Sequence, residues 1–311
     1  MPARTGSRAP GNGRTLLVVA LVAAALGALG AGVWVAVAGG RDGDAGGGGP
    51  IATLRTADFH ALAWSPGDLD TVYFGHHDGV MKSADAGRGW TPSVAQRNFD
   101  AMALAVSGVD PQRLLMAGHD VFFTSGDGGA TWQPLRHGMP GTDIHGFAMS
   151  PSDAQRLYAY VVGFGLWNSV DGGSTWRPLS GQLPGDVHGL VAAGGEAEIL
   201  YAASMSRGVL RSSDGGRSWA ETGSGTGPQR AVAVAAQPGD PQTVYAGTDG
   251  GLYKSVDGGS SWRKLPFPGP NAVALAISPL QPNRILAIAA REGQGLVYRS
   301  DDGGQTWPGG A

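Results

Sequence analysis

Ser169-Val-Asp-Gly-Gly-Ser-Thr-Trp176 (SVDGGSTW) is a short polar turn with an aspartate near its start and a tryptophan at its end. It recurs as SADAGRGW (83–90), SGDGGATW (125–132), SSDGGRSW (212–219), SVDGGSSW (255–262) and SDDGGQTW (300–307). The aspartates Asp85, Asp127, Asp171, Asp214, Asp257 and Asp302 follow one another at 42, 44, 43, 43 and 45 residues. A near-constant period of this length marks a repeat architecture, and repetition assigns the six aspartates to the scaffold rather than to chemistry.

Each repeat has one internal order. In the first, HALAWSP (60–66) alternates into a turn, DTVYFG (70–75) follows, VMKS (80–83) leads into the motif, and Trp90 opens a short fourth segment. Four short strands per repeat, joined by Gly/Asp turns, make one propeller blade. The motif falls in the turn between third and fourth strands. There glycine supplies positive φ, the short Asp side chain bonds nearby backbone N–H groups, and the Trp supplies a large apolar body. The sixth repeat stops soon after Trp307, and Pro50-Ile-Ala-Thr-Leu54 resembles the QPL (133–135) and RKL (263–265) segments that follow other motif tryptophans. Residues 51–55 are therefore expected to close the last blade and remove its open edge.

Composition agrees with many short strands: Gly is 54 of 311 residues, and 22 basic residues nearly balance 25 acidic ones. Such a balance gives no reason to expect a nucleic-acid partner. With no cysteine there is no disulfide, thiolate nucleophile or thiolate metal site. The first 50 residues belong to another class. Residues 1–14 are basic (Arg4, Arg8, Arg14), 15–38 form an uncharged run, and 39–50 are Gly-rich. The run is long enough to span a bilayer as a helix, and the flanking charge puts the N-terminus in the cytoplasm. The reading is a single-pass anchor, a flexible linker, and an extracytoplasmic domain over 51–311. The alternative is a signal peptide cleaved after Ala36-Val-Ala38, giving a secreted protein.

The motif S-x-D-x-G-x-[ST]-W resembles the Asp-box, or BNR repeat, of sialidases, xyloglucan-degrading enzymes, sortilin-type receptors and photosystem II assembly factors. The resemblance covers about residues 51–311 and is nearest to compact exported bacterial propellers of sialidase- or glycosyl-hydrolase-like type. It implies an all-β propeller with the boxes structural and away from the active face; the six repeats make it six-bladed, and it is expected to be monomeric. It implies function only loosely, since these relatives do different things on one scaffold.

Function is expected where the copies differ. The first strands read HALAWSP, MALAVSG, HGFAMSP, HGLVAAG, VAVAAQP and VALAISP, so the leading position is His60, Met102, His145, His188, Val232 and Val273. Two residues earlier stand Asp58, Asp100, Asp143, Asp186, Arg230 and Asn271. Strand starts line the channel mouth on one face. The turns between second and third strands, carrying His76, His77, His119, Arg207 and Arg291, open on that same face, and His137 is expected there too. All seven histidines thus converge on the face opposite the boxes.

Three chemistries fit. In a glycosidase, two of Asp58, Asp100, Asp143 and Asp186 would flank a sugar as acid and base or nucleophile, with Arg207, Arg230, Asn271 and Arg291 binding ligand. Sialidase activity is not expected, because the Arg-Ile-Pro motif is absent. In a metal site, His60, His77, Met102, His119, His145 and His188 would hold a divalent or copper ion. In a binding or assembly module, the mouth would present its loops to a glycan or to an exported or membrane protein.

Overall fold

A computed structural model describes residues 48–223 and 227–309. The basic segment 1–14, the apolar run 15–38 and most of the linker lie outside them. Among the described residues no helix is long and apolar enough to cross a membrane.

Strand β1 (Ala52–Leu54) comes first. Blade one is β2 (Ala61–Trp64), β3 (Thr71–His76), β4 (Gly79–Ala84) and β5 (Thr91–Ala95). Blade two is β6 (Ala103–Val106), β7 (Leu114–Gly118), β8 (Val121–Ser125) and β9 (Gln133–Pro134). Blade three is β10 (Ile144–Met149), β11 (Leu157–Val161), β12 (Gly165–Ser169) and β13 (Arg177–Ser180). Blade four is β14 (Val187–Gly194), β15 (Ile199–Ser204), β16 (Gly208–Ser212) and β17 (Ala220–Glu221). Blade five is β18 (Ala231–Gln237), β19 (Asp240–Thr248), β20 (Gly251–Ser255) and β21 (Arg263–Lys264). Blade six is β22 (Ala274–Ile277), β23 (Ile285–Arg291) and β24 (Gln294–Ser300), with β1 as its outer strand in the order β1-β24-β23-β22. The result is the six-bladed propeller of four-stranded antiparallel blades that the repeats predict. Its innermost strands β2, β6, β10, β14, β18 and β22 neighbour one another in a closed ring.

A blade in a ring is covered on both faces, so its inner strands need not alternate. Leu114-Leu115-Met116-Ala117 and Ile285-Leu286-Ala287-Ile288 are wholly inaccessible in second strands of two blades. Outer strands are short and polar, as at Gln133–Pro134 and Arg263–Lys264, which blunts the edge against further pairing. The seam between first and last blades is an ordinary core: Leu54, Trp64, Phe74, Met81 and Trp90 pack with Ala276, Leu286, Ile288 and Val297.

The repeated turn is a self-contained hydrogen-bonded unit. Ser169 Oγ donates to Asp171 Oδ1 at 2.8 Å and accepts from Gly173 N at 2.9 Å. Asp171 also accepts from Thr175 N at 2.8 Å and Thr175 Oγ1 at 2.6 Å. Gly172 and Gly173 take φ of 72° and 95°, a left-handed pair that explains the Gly-Gly step. Trp176 Nε1 closes the unit on Gly173 O at 3.0 Å. The Ser–Asp and Asp–Thr/Ser bonds recur around Asp127, Asp214, Asp257 and Asp302. In the first copy Gly89 stands in for Thr or Ser, and its N–H reaches Asp85 Oδ1 at 2.7 Å. Bonded within their own motif to its Ser, Thr or Gly residues, these carboxylates serve the turn.

Candidate ligand site at the channel mouth

Each blade delivers the start of its inner strand to the mouth, and three blades do so with the same device. In blade three the ladder pairs Ile144 with Val161 and Gly146 with Tyr160, leaving His145 as an extra residue. Blade four likewise skips His188 between Val187 and Gly189, and blade five skips Val232. A β-bulge re-aims the side chain it carries. His145, His188 and Val232 accordingly line the axial cavity with His60 and Met102. That cavity holds about 80 Å³, with apolar Leu62, Leu104, Phe147 and Leu190 along its walls. Ligand pockets begin near ~300 Å³, so the mouth rather than the bore is the place for a ligand.

Around the mouth runs an alternating chain of imidazoles and carboxylates that crosses from blade one to blade four. His60 Nε2 lies 3.0 Å from Asp100 Oδ1. Asp100 Oδ2 meets His119 Nδ1 at 2.6 Å, with His77 Nδ1 at 3.6 Å. His119 Nε2 then stands 3.2 Å from Asp143 Oδ1 and 3.0 Å from His145 Nε2. His145 Nε2 is 2.9 Å from the same Asp143 oxygen. The ring of His188 lies beside that of His145, with centroids 5.5 Å apart.

The electrostatics follow from this geometry. Burial opposes the charge of Asp100, which is 4% exposed, but the imidazoles of His60 and His119 outweigh it and hold the carboxyl down to about 2. Burial lowers both His145 and His188, with Asp143 and Asp186 pulling the other way. Asp186 is also opposed by burial yet ends below the usual carboxylate range, because Ser204 Oγ donates to it at 2.6 Å and Ser206 N at 2.7 Å. Asp100 and Asp186 are thus held in the ionised form, while burial favours the neutral form of the His145 and His188 rings.

The sequence candidates divide sharply. Asp100, Asp143, His60, His77, His119, His145 and His188 come together. Met102 lines the mouth beside His60 and His188. Asp58 is exposed, and its main-chain carbonyl accepts from Thr56. The four ligand-binding candidates are each engaged within their own blade: Arg207 with Glu221 at 2.6 Å, Arg230 with Asp249, Arg291 with Glu292 at 3.7 Å, and Asn271 with both backbone groups of Ala290. Two histidines leave the functional set. His76 is buried, stacks on Phe74 and accepts from Asp78 N, and burial pushes it down to about 4. His137 packs edge-on to Phe122 and accepts from Met139 N. Sequence reasoning missed Ser204 and Ser206 as partners of Asp186; the spacing S-x-S where β15 ends was the available signal.

No protein-family model matches the sequence, and no curated protein matches it either. Among solved structures, the chain is similar to the GH74 xyloglucanase from Xanthomonas campestris, with TM-score 0.56 and 20% identity over 84% of this chain and 53% of that one. It is similar to a GH74 enzyme from Niastella koreensis, with TM-score 0.55 and 17% identity over 83% and 53%. It is also similar to YCF48 bound to D1 peptide, with TM-score 0.53 and 18% identity over 82% and 84%. The chain spans about half the length of the GH74 enzymes and most of the length of YCF48. At these identities the likeness is one of fold, a β-propeller.

Proposed function

We propose that this chain is a non-catalytic Asp-box propeller, tethered outside the membrane by residues 15–38, whose His/Asp mouth docks a segment of a partner protein. The observation that carries the reading is that Asp100 and Asp186 are each taken up by partners of their own protein, Asp100 by His60 and His119 and Asp186 by Ser204 and Ser206. A glycosidase needs one carboxylic acid with a raised pKa to protonate the leaving oxygen. Asp100 is held at about 2 and Asp186 is lowered, each by donors of its own protein. The likeness to a peptide-bound YCF48, which extends over most of both chains, supports a polypeptide partner. Glycan binding at the same mouth is the second reading, supported by the GH74 likeness, which extends over only half of those enzymes.

A peptide array drawn from exported and membrane proteins tests this. Wild type is expected to select a defined segment and to lose it in His188→Ala. Turnover of xyloglucan oligosaccharides by wild type, abolished in Asp143→Asn, would overturn the non-catalytic reading.

A further inference from the structure

We propose that His119 Nε2, Asp143 Oδ1 and His145 Nε2 bind one divalent first-row transition-metal ion, with Asp100 fixing His119 from behind. These three atoms form a near-equilateral triangle with edges of 3.0, 3.2 and 2.9 Å. The circle through them has a radius of about 1.8 Å, so an ion at the ~2.0–2.1 Å of imidazole and carboxylate bonds sits about 1 Å above their plane. That is the shape of one face of a coordination polyhedron.

Proton counting points the same way. His119 Nδ1 lies 2.6 Å from Asp100 Oδ2, and the tautomer that donates Nδ1–H to Asp100 turns the Nε2 lone pair toward Asp143 and His145. Asp143 Oδ1 is a buried atom with two imidazole nitrogens beside it, His145 Nε2 at 2.9 Å and His119 Nε2 at 3.2 Å. His145 Nε2 can contribute one proton to the triangle, which leaves at least one contact between lone pairs at about 3 Å. A cation satisfies all three atoms together, with the His145 proton moving to Nδ1. The Asp100–His119 pair then becomes the carboxylate–histidine–metal arrangement that fixes tautomer and raises ligand basicity.

Two imidazoles and one carboxylate suit Zn²⁺, Fe²⁺, Co²⁺, Ni²⁺ or Cu²⁺ over Mg²⁺ or Ca²⁺. The His119 and Asp143 side chains are 49% and 45% exposed, so the remaining coordination positions open on the mouth. There a carboxylate or imidazole of a docked partner can complete the shell. The inference shares its site with the docking reading but does not need the partner. Ion binding can fail while a peptide binds, and the reverse.

The test titrates full chain without a histidine tag, in detergent and stripped of metal, with Zn²⁺ by calorimetry and with Co²⁺ by visible absorption. One equivalent is expected, with d–d bands for Co²⁺. His119→Ala, Asp143→Asn and His145→Ala should each weaken Zn²⁺ by about 100-fold or more, and Asp100→Asn by about 10–100-fold. Glu196→Gln, exposed and outside the mouth, should bind as wild type. Zn²⁺ binding that is absent, or unmoved by His119→Ala and His145→Ala, overturns the proposal. Should those variants fail to fold, wild type alone decides: Co²⁺ bands together with a Zn²⁺-dependent rise in Tm uphold the site, and the lack of either overturns it.

Discussion

The main-chain carbonyl of Asp100 rests on the α-carbon of Gly118, so close that a β-carbon there would meet the oxygen at 1.8 Å. The same contact recurs between Gly75 and Ala101 and between Gly247 and Ala272, at 2.4 and 2.3 Å. The segment that brings Asp100 to the mouth lies flat on β7 because position 118 has no side chain. Gly118→Ala should displace Asp100 and cost about 1–3 kcal/mol by overpacking. Denaturant unfolding measures the cost, and the His119 ring resonances report the lost carboxylate. Gly138→Ala, with nothing within 4 Å of a new methyl, should stay within about 0.5 kcal/mol of wild type.

Ser169 holds its turn from inside, accepting from Gly173 N in a buried position while donating to Asp171. Ser169→Ala leaves that N–H unsatisfied and should destabilise by about 1–3 kcal/mol. Ligand binding at the mouth should be unchanged in the folded fraction, since the turn lies at the other end of the blade.

The turn carboxylates make the fold acid-sensitive. The hydroxyls of Thr131, Thr175, Ser218 and Ser261 hold Asp127, Asp171, Asp214 and Asp257 at about 2, against an ordinary value of 3.8. A depressed folded pKa contributes stability above the unfolded value, and that stability is lost as pH falls from about 4 to about 2. Unfolding midpoints should drop steeply over that window, and Thr175→Val should flatten the slope.

A second pH window comes from His76. Burial lowers it from 6.5 to about 4, so the unfolded chain takes up a proton that the native chain refuses. Stability is full above pH 6.5 and falls as pH drops toward 4, by roughly 3 kcal/mol if the whole shift is expressed. His76→Phe keeps a ring against Phe74 and should remove this part of the pH dependence, read from urea midpoints at pH 7.5 and 5.

Leu54 of β1 is 2% exposed within the core shared by first and last blades. Leu54→Ala should cost about 2–5 kcal/mol. Hydrogen exchange should accelerate first in β24, the partner of β1, before it rises elsewhere.

The propeller was legible because one turn repeats: six copies of SVDGGSTW-like sequence set blade number, blade length and the position of the silent face. The mouth was legible only as a collection of residue types. Its pairing was not, because Asp100 meets His119 and His60 at sequence separations of 19 and 40, and Asp143 meets His119 across a blade boundary. Bulges at His145 and His188 were hidden as well, since HGFAM and HGLVA read as unbroken strands. Arg230 pairs with Asp249 from a left-handed backbone, φ 54°, that the string PQRAV does not announce. His76 and His137 shared a face in the sequence but ended in apolar packing, because strand ends can turn a ring inward as easily as outward.

The pairing of Ala52 with Val297 sets a clock on biogenesis. The closing strand leaves the ribosome roughly 240 residues before its partner, a delay of about 10–50 s at ordinary synthesis rates. Throughout that interval β1 is an unpaired edge, and blades one to five can form without it. Three residues, one of them a threonine, are a small surface to leave sticky for so long. The ring therefore cannot close through β1 until β24 has been made, so the first strand of the propeller must wait for nearly the last.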